Sequence, residues 1–96
     1  MNDFFILRRI NASGPHPIDT GTLLGILRGS TSLEPWVGPM AAFCCDTPLA
    51  ALETFLFEHR IPFGAFASLY RRIRTLTHES NPDVEDWLDS LRLPAA

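Results

Sequence analysis

The feature that most constrains this chain is a break between two helical periods in residues 46 to 78. Leu49, Leu52, Phe55 and Leu56 recur at the spacing of one helix face. Phe63, Phe66, Leu69, Tyr70, Ile73 and Leu76 do so again, in a wider stripe. Between the stripes stands Arg60-Ile61-Pro62-Phe63-Gly64. Pro62 lacks an N–H and pushes Ile61 out of the α region, so the first helix has to end there. The spacing predicts a hairpin of two amphipathic helices, residues 48 to 60 and 63 to 78, both facing one core. Asp46-Thr47-Pro48 reads as its start, a capping residue followed by proline in the first turn. His59 projects to the apolar side and reads as a structural, helix-end histidine.

A third helix follows. Ser80-Asn81-Pro82 breaks the chain and caps residues 82 to 92, where Val84, Trp87, Leu88 and Leu91 face inward. Asp83 and Glu85 sit in its first turn, where the helix dipole favours them.

Upstream the pattern changes. Residues 3 to 10 read as a strand, rich in aromatic and β-branched side chains and stopped by Asn11-Ala12-Ser13-Gly14-Pro15. The unbroken run Phe4-Phe5-Ile6-Leu7 suggests burial on both faces, although a short buried helix satisfies the same run. His16 and Pro17 form a turn, and a short helix from Asp19 or Thr20 to Arg28 stops at Gly29. Its Leu23, Ile26 and Leu27 share a face, with Gly21 and Gly25 on the far side as weak helix positions or a place of close backbone approach.

Residues 30 to 39 read as a loop because of Pro35, Gly38 and Pro39. Thr31 and Glu34 have capping-box spacing, but Pro35 directly after Glu34 opposes a helix there. Trp36 either folds back as a lid on the core or stands out as a contact residue. Residues 40 to 45 read as a second strand. The expected fold class is α+β: two short N-terminal strands with an intervening short helix, then three amphipathic helices, packed as one domain over residues 1 to 96. A mostly α arrangement is the alternative.

Charge and cysteine usage narrow the chemistry. The formal charge of −3 gives no general attraction to nucleic acid or anionic membrane. All eight basic residues are arginine. Without lysine, a Walker-type phosphate loop, Schiff-base chemistry and a protein kinase are excluded. Adjacent Cys44 and Cys45 do not make a disulfide framework, which points to a reducing, cytoplasmic compartment. No secretory signal or bilayer-length apolar run is expected, so the Asn11-Ala12-Ser13 sequon should go unused.

A zinc site would have to join Cys44, Cys45, Asp46, His59 and His78, whose spacing is unlike paired ligands on a turn. No nucleophile elbow supports a serine or cysteine nucleophile, and Glu58 and His59 point about 100° apart on a helix. The reading is therefore non-enzymatic, with no catalytic residue, cofactor or metal. Arg71, Arg74 and His78 share one edge of the 63 to 78 helix, with Arg72 further round. The string Ile61-Pro62-Phe63 followed by Ala67-Ser68-Leu69-Tyr70-Arg71-Arg72-Ile73 resembles the second half of a helix-turn-helix. It departs from that pattern at Arg60, where a glycine is usual. The resemblance implies DNA binding by this helix. The acidic face Glu85, Asp86 and Asp89 suits docking on a basic partner, or pairing with Arg71, Arg72 or Arg74 in the same molecule.

The expectation that best fits these exclusions is a small regulator, inhibitor or adaptor of phage or bacterial type. It docks on a partner protein through Trp36, Arg71, Arg72, Arg74, Glu85, Asp86 and Asp89. Helix-turn-helix-like DNA binding is the alternative, no membrane is involved, and there is room for a homo-oligomer.

Overall fold

The computed structural model describes residues 2–12 and 17–91, the side chains of 2–4 excepted. Ser13 of the sequon, the His16 turn and Arg92 lie outside the described residues. Six α-helices follow one another there: α1 Asn2–Asn11, α2 Thr20–Leu27, α3 Val37–Cys45, α4 Leu49–Glu58, α5 Phe63–Thr77 and α6 Pro82–Leu91. A 3-10 turn, Glu34–Trp36, leads into α3.

Among the described residues there is no strand, so the α+β expectation is corrected to an all-helical fold. Both expected strands are helices. In α1 the buried residues Ile6 and Ile10 are four apart, while Phe5 beside them is exposed. In α3 Met40, Phe43 and Cys44 are buried at intervals of three and four. Those are helical intervals, and a run this short and apolar also satisfies a strand. The expected loop over residues 30 to 39 is shortened as well. Pro35 sits in the first positions of the 3-10 turn, and Pro39 falls in the first turn of α3, where its missing N–H has no helical partner to lose.

α3 packs against both α5 and α1 as well as the 3-10 turn, while α2 packs on α5 and α1 also covers α4. Phe43 of α3 sits edge-on to Phe55 of α4 and Phe66 of α5, with ring centroids 5.4 and 6.1 Å apart. Met40, Leu52, Tyr70, Ile73 and Val84 complete a core with no solvent contact. The hairpin forms as its sequence suggests, and His59 lies 4.5 Å from the Phe55 ring. Its start differs, because no side chain caps α4. Thr47 is buried and its hydroxyl donates back to the Ala42 carbonyl at 3.1 Å, closing α3 instead of opening α4.

The ends of the other helices follow their sequence. Asp19 caps α2 by accepting the Thr22 N–H at 2.7 Å, and Gly29 ends it at φ +81. Asn11 closes α1 by exchanging two hydrogen bonds of 2.9 Å with the backbone of Ile18. Among the described residues no single helix is long and apolar enough to cross a membrane. α3 and α4 with the 3-10 turn reach that length only as a pair bent by 114°.

Candidate functional site

α5 buries Phe66, Ala67, Leu69, Tyr70 and Ile73, which turns Ser68, Arg71, Arg72 and Thr75 outward. Near its C-terminal end the Arg71, Arg72, Thr75 and Leu76 side chains form one wall of an open cleft of about 450 Å³. The other wall is Leu33, Glu34 and Val37, from the 3-10 turn and its flanks. Leu33 is buried at the bottom, whereas Leu76 is 57 % exposed at the rim. The Glu34 carboxylate accepts the Ser32 hydroxyl at 2.9 Å. Among the described residues neither the Arg71 nor the Arg72 guanidinium pairs with a carboxylate. A smaller hollow of about 270 Å³ lies between α5 and the end of α2 and shares Arg72. Arg28 on its edge is already tied, donating to the His59 carbonyl at 3.2 Å.

The third arginine of the edge has a different fate. Arg74 binds both Glu85 oxygens at 2.9 Å, across the turn between α5 and α6. Its guanidinium also lies 5.8 Å from the Tyr70 ring centroid. The Tyr70 hydroxyl donates to Glu85 at 2.9 Å and accepts the Asn81 backbone N–H at 2.9 Å. The Asn81 side chain then caps α6, accepting the Asp83 and Val84 N–H groups at 3.1 and 3.4 Å. Its amide donates to the Cys44 and Thr47 carbonyls at 3.5 and 3.4 Å.

Electrostatics follow from these contacts. Hydrogen bonds from Arg74 and then Tyr70 hold the Glu85 carboxyl below its usual range. Burial, only partly offset by the Asn81 N–H, pushes the Tyr70 hydroxyl up to about 12. Burial raises the Cys44 thiol well above its ordinary value. Partial burial, with Glu79, Asp46 and Glu85 nearby, pushes Cys45 up to about 11. Neither thiol is poised as a nucleophile near neutral pH.

The residues singled out by sequence thus separate. Arg71 and Arg72 come together on the cleft, and Arg74 and Glu85 bind each other. Asp86 and Asp89 are exposed on the outer side of α6. Trp36 packs on the core yet stays half-exposed, just before Val37 of the cleft. Cys44, Cys45, His59 and His78 do not converge, and no three potential ligands gather to hold a metal ion among the described residues.

Sequence reasoning missed two features. One is the far wall of the cleft, built from Leu33, Glu34 and Val37, which are separated from α5 in sequence by the whole of α4. The other is Phe57, 84 % exposed at the end of α4. It borders a hollow of about 310 Å³ with Glu53, Phe63 and Trp87, and the last two rings meet edge-on at 5.2 Å. A signal for Phe57 existed, since it falls about 100° past Leu56, the edge of the Leu52-Phe55-Leu56 stripe.

No family model matches the chain, and neither a curated protein nor a solved structure is significantly similar to it.

Proposed function

We propose that the protein is a non-enzymatic docking module, a small cytoplasmic regulator, inhibitor or adaptor that binds another protein through the α5 cleft. The observation that carries this reading is the contrast among three neighbouring arginines. Arg74 is neutralised by Glu85, while Arg71 and Arg72 flank the cleft without an ion pair to any carboxylate among the described residues. A surface arginine alone means little. Two guanidinium forks around Leu33, Val37 and Leu76 select an anion that also carries an apolar group.

The occupant that fits is an acidic segment of a partner protein with one apolar anchor. The anchor displaces water from the cleft floor, and two carboxylates take Arg71 and Arg72. Glu34 on the same cleft disfavours a continuous line of phosphates, which supports a protein segment over nucleic acid. Two free cysteines support a reducing compartment such as the cytoplasm.

Short fluorescent peptides test the reading by anisotropy. One is acidic with a central Phe, one acidic without it, and one has Phe but no acid. Binding is expected for the first alone and should be lost in the Arg71→Glu, Arg72→Glu double variant. Equal binding of all three, or retention of DNA without binding of any peptide, overturns it.

A further inference from the structure

We infer that the cleft also accepts a second copy of this chain, with Phe57 of one molecule seated between Arg71 and Arg72 of the next. The inference rests on the cleft reading above and names one partner for that site.

Phe57 is the most exposed of the large apolar side chains on this molecule's described surface, at 84 %. Helix α4 spends its apolar stripe on the core, so this ring stays uncovered among the described residues. Leaving a phenyl group in water forgoes the favourable transfer of its apolar surface out of water. A cleft of about 450 Å³ with an apolar floor has room for one aromatic ring.

The charges around ring and cleft are complementary in both signs. Glu53 lies one turn before Phe57 on the same side of α4, and exposed Glu58 follows it. They present two carboxylates beside an apolar knob, which is the chemistry that Arg71 and Arg72 select. The knob also has a cation close by, exposed Arg60, as the cleft has its own anion, Glu34.

The contact must form between molecules. The hollow beside Phe57 borders Phe63, the first residue of α5, and the cleft ends at Leu76 near its last. Leu76 follows Phe63 by about thirteen helical steps, about 20 Å at a rise of ~1.5 Å per residue. A ring fixed at one end of a rigid helix does not reach the cleft at the other. Because knob and cleft are different patches, the contact is heterologous and each added copy exposes a fresh knob and a fresh cleft. One ring and its flanking charges make an interface well below the roughly 1,200 Å² of stable complexes, so assembly is reversible and concentration-dependent.

Sedimentation velocity on the full chain over a wide concentration range tests this. The wild type should grow past dimer as concentration rises. Phe57→Ser alone and Arg71→Glu with Arg72→Glu should each stay monomeric. All three positions are exposed, and far-ultraviolet circular dichroism confirms that the variants fold. Mixed in equal amounts, the two variants should form a heterodimer and nothing larger, since each retains the patch that the other lacks. Glu53→Arg with Glu58→Arg should restore association to the Arg71→Glu, Arg72→Glu background. A wild type that stays monomeric throughout, or a mixture that does not pair, overturns the inference. If the acidic Phe peptide still binds the cleft in that case, the docking reading stands and only self-association fails.

Discussion

The Tyr70 hydroxyl and the Asn81 backbone N–H meet at 2.9 Å inside the protein, and both residues are buried. This bond joins the middle of α5 to the residue that caps α6. Asn81 carries the tie onward to the carbonyls of Cys44 and Thr47, so one polar node fastens the C-terminal helix to three earlier segments. A polar group buried in this way is stabilising only while every partner is present.

Tyr70→Phe keeps the ring and removes the hydroxyl. The Asn81 N–H is then buried without an acceptor, and Glu85 loses a donor. The expected loss is about 1–3 kcal/mol in urea unfolding. Glu85→Gln should cost less, about 0–1 kcal/mol, because the ion pair it weakens is exposed.

The same node sets a pH dependence at both ends. Glu85 lies below its ordinary value of 4.5, so its contribution is complete above that pH and is lost as pH falls through the lowered folded value. Solvent screening keeps the effect small, and added salt should shrink it. Tyr70 is raised from 10.0 to about 12, so its contribution is complete below pH 10 and disappears as pH climbs toward 12. Urea midpoints against pH should show a shallower acid limb for Glu85→Gln and a shallower alkaline limb for Tyr70→Phe.

Two glycines of α2 should respond in opposite directions to alanine. A Cβ at Gly25 would run into the Thr31 hydroxyl and lie 3.1 Å from its Cβ. Thr31 is held there, because its N–H and that of Ser30 both donate to the Gly25 carbonyl. Gly25→Ala should therefore destabilise by about 1–2 kcal/mol despite the better helix propensity. At Gly21 the nearest atom is 3.6 Å away, and Gly21→Ala should gain up to about 1 kcal/mol. Thermal melts of the two variants should move apart in sign.

His78 closes α5 in the left-handed region, at φ 61. A side chain is strained there and glycine is not. His78→Gly should raise stability by about 1 kcal/mol, read as a higher urea midpoint with an unchanged slope.

α2 was marked by its Asp19 cap and Gly29 stop beside the Leu23, Ile26 and Leu27 face. Helical period placed α4, α5 and α6, each of which has a polar side that distinguishes it, and Pro62 marked the hairpin break. α1 and α3 lack that contrast over their apolar runs, so Phe4-Phe5-Ile6-Leu7 and Met40-Ala41-Ala42-Phe43 fit strand and helix alike. The core decided between them, by taking Ile6 with Ile10 and Met40 with Phe43 and Cys44. The arginine edge was legible because exposure follows from the α5 stripe. Which arginine would pair was not, since that depends on how α6 folds back. Nor was the opposite wall of the cleft, since Leu33 and Val37 meet α5 only through the tertiary fold.

Asn81 fastens α6 at one end only. Beyond Val84 the helix is held by Glu85, through Arg74 and Tyr70, and by half-buried Trp87 and Leu88, and Leu91 is exposed. Fraying should therefore run one way, from Leu91 back toward the node, like a zip whose last tooth is locked. Amide exchange along α6 should slow residue by residue in that direction, and the amides of Val84 and Glu85 should open only when Tyr70 releases Asn81.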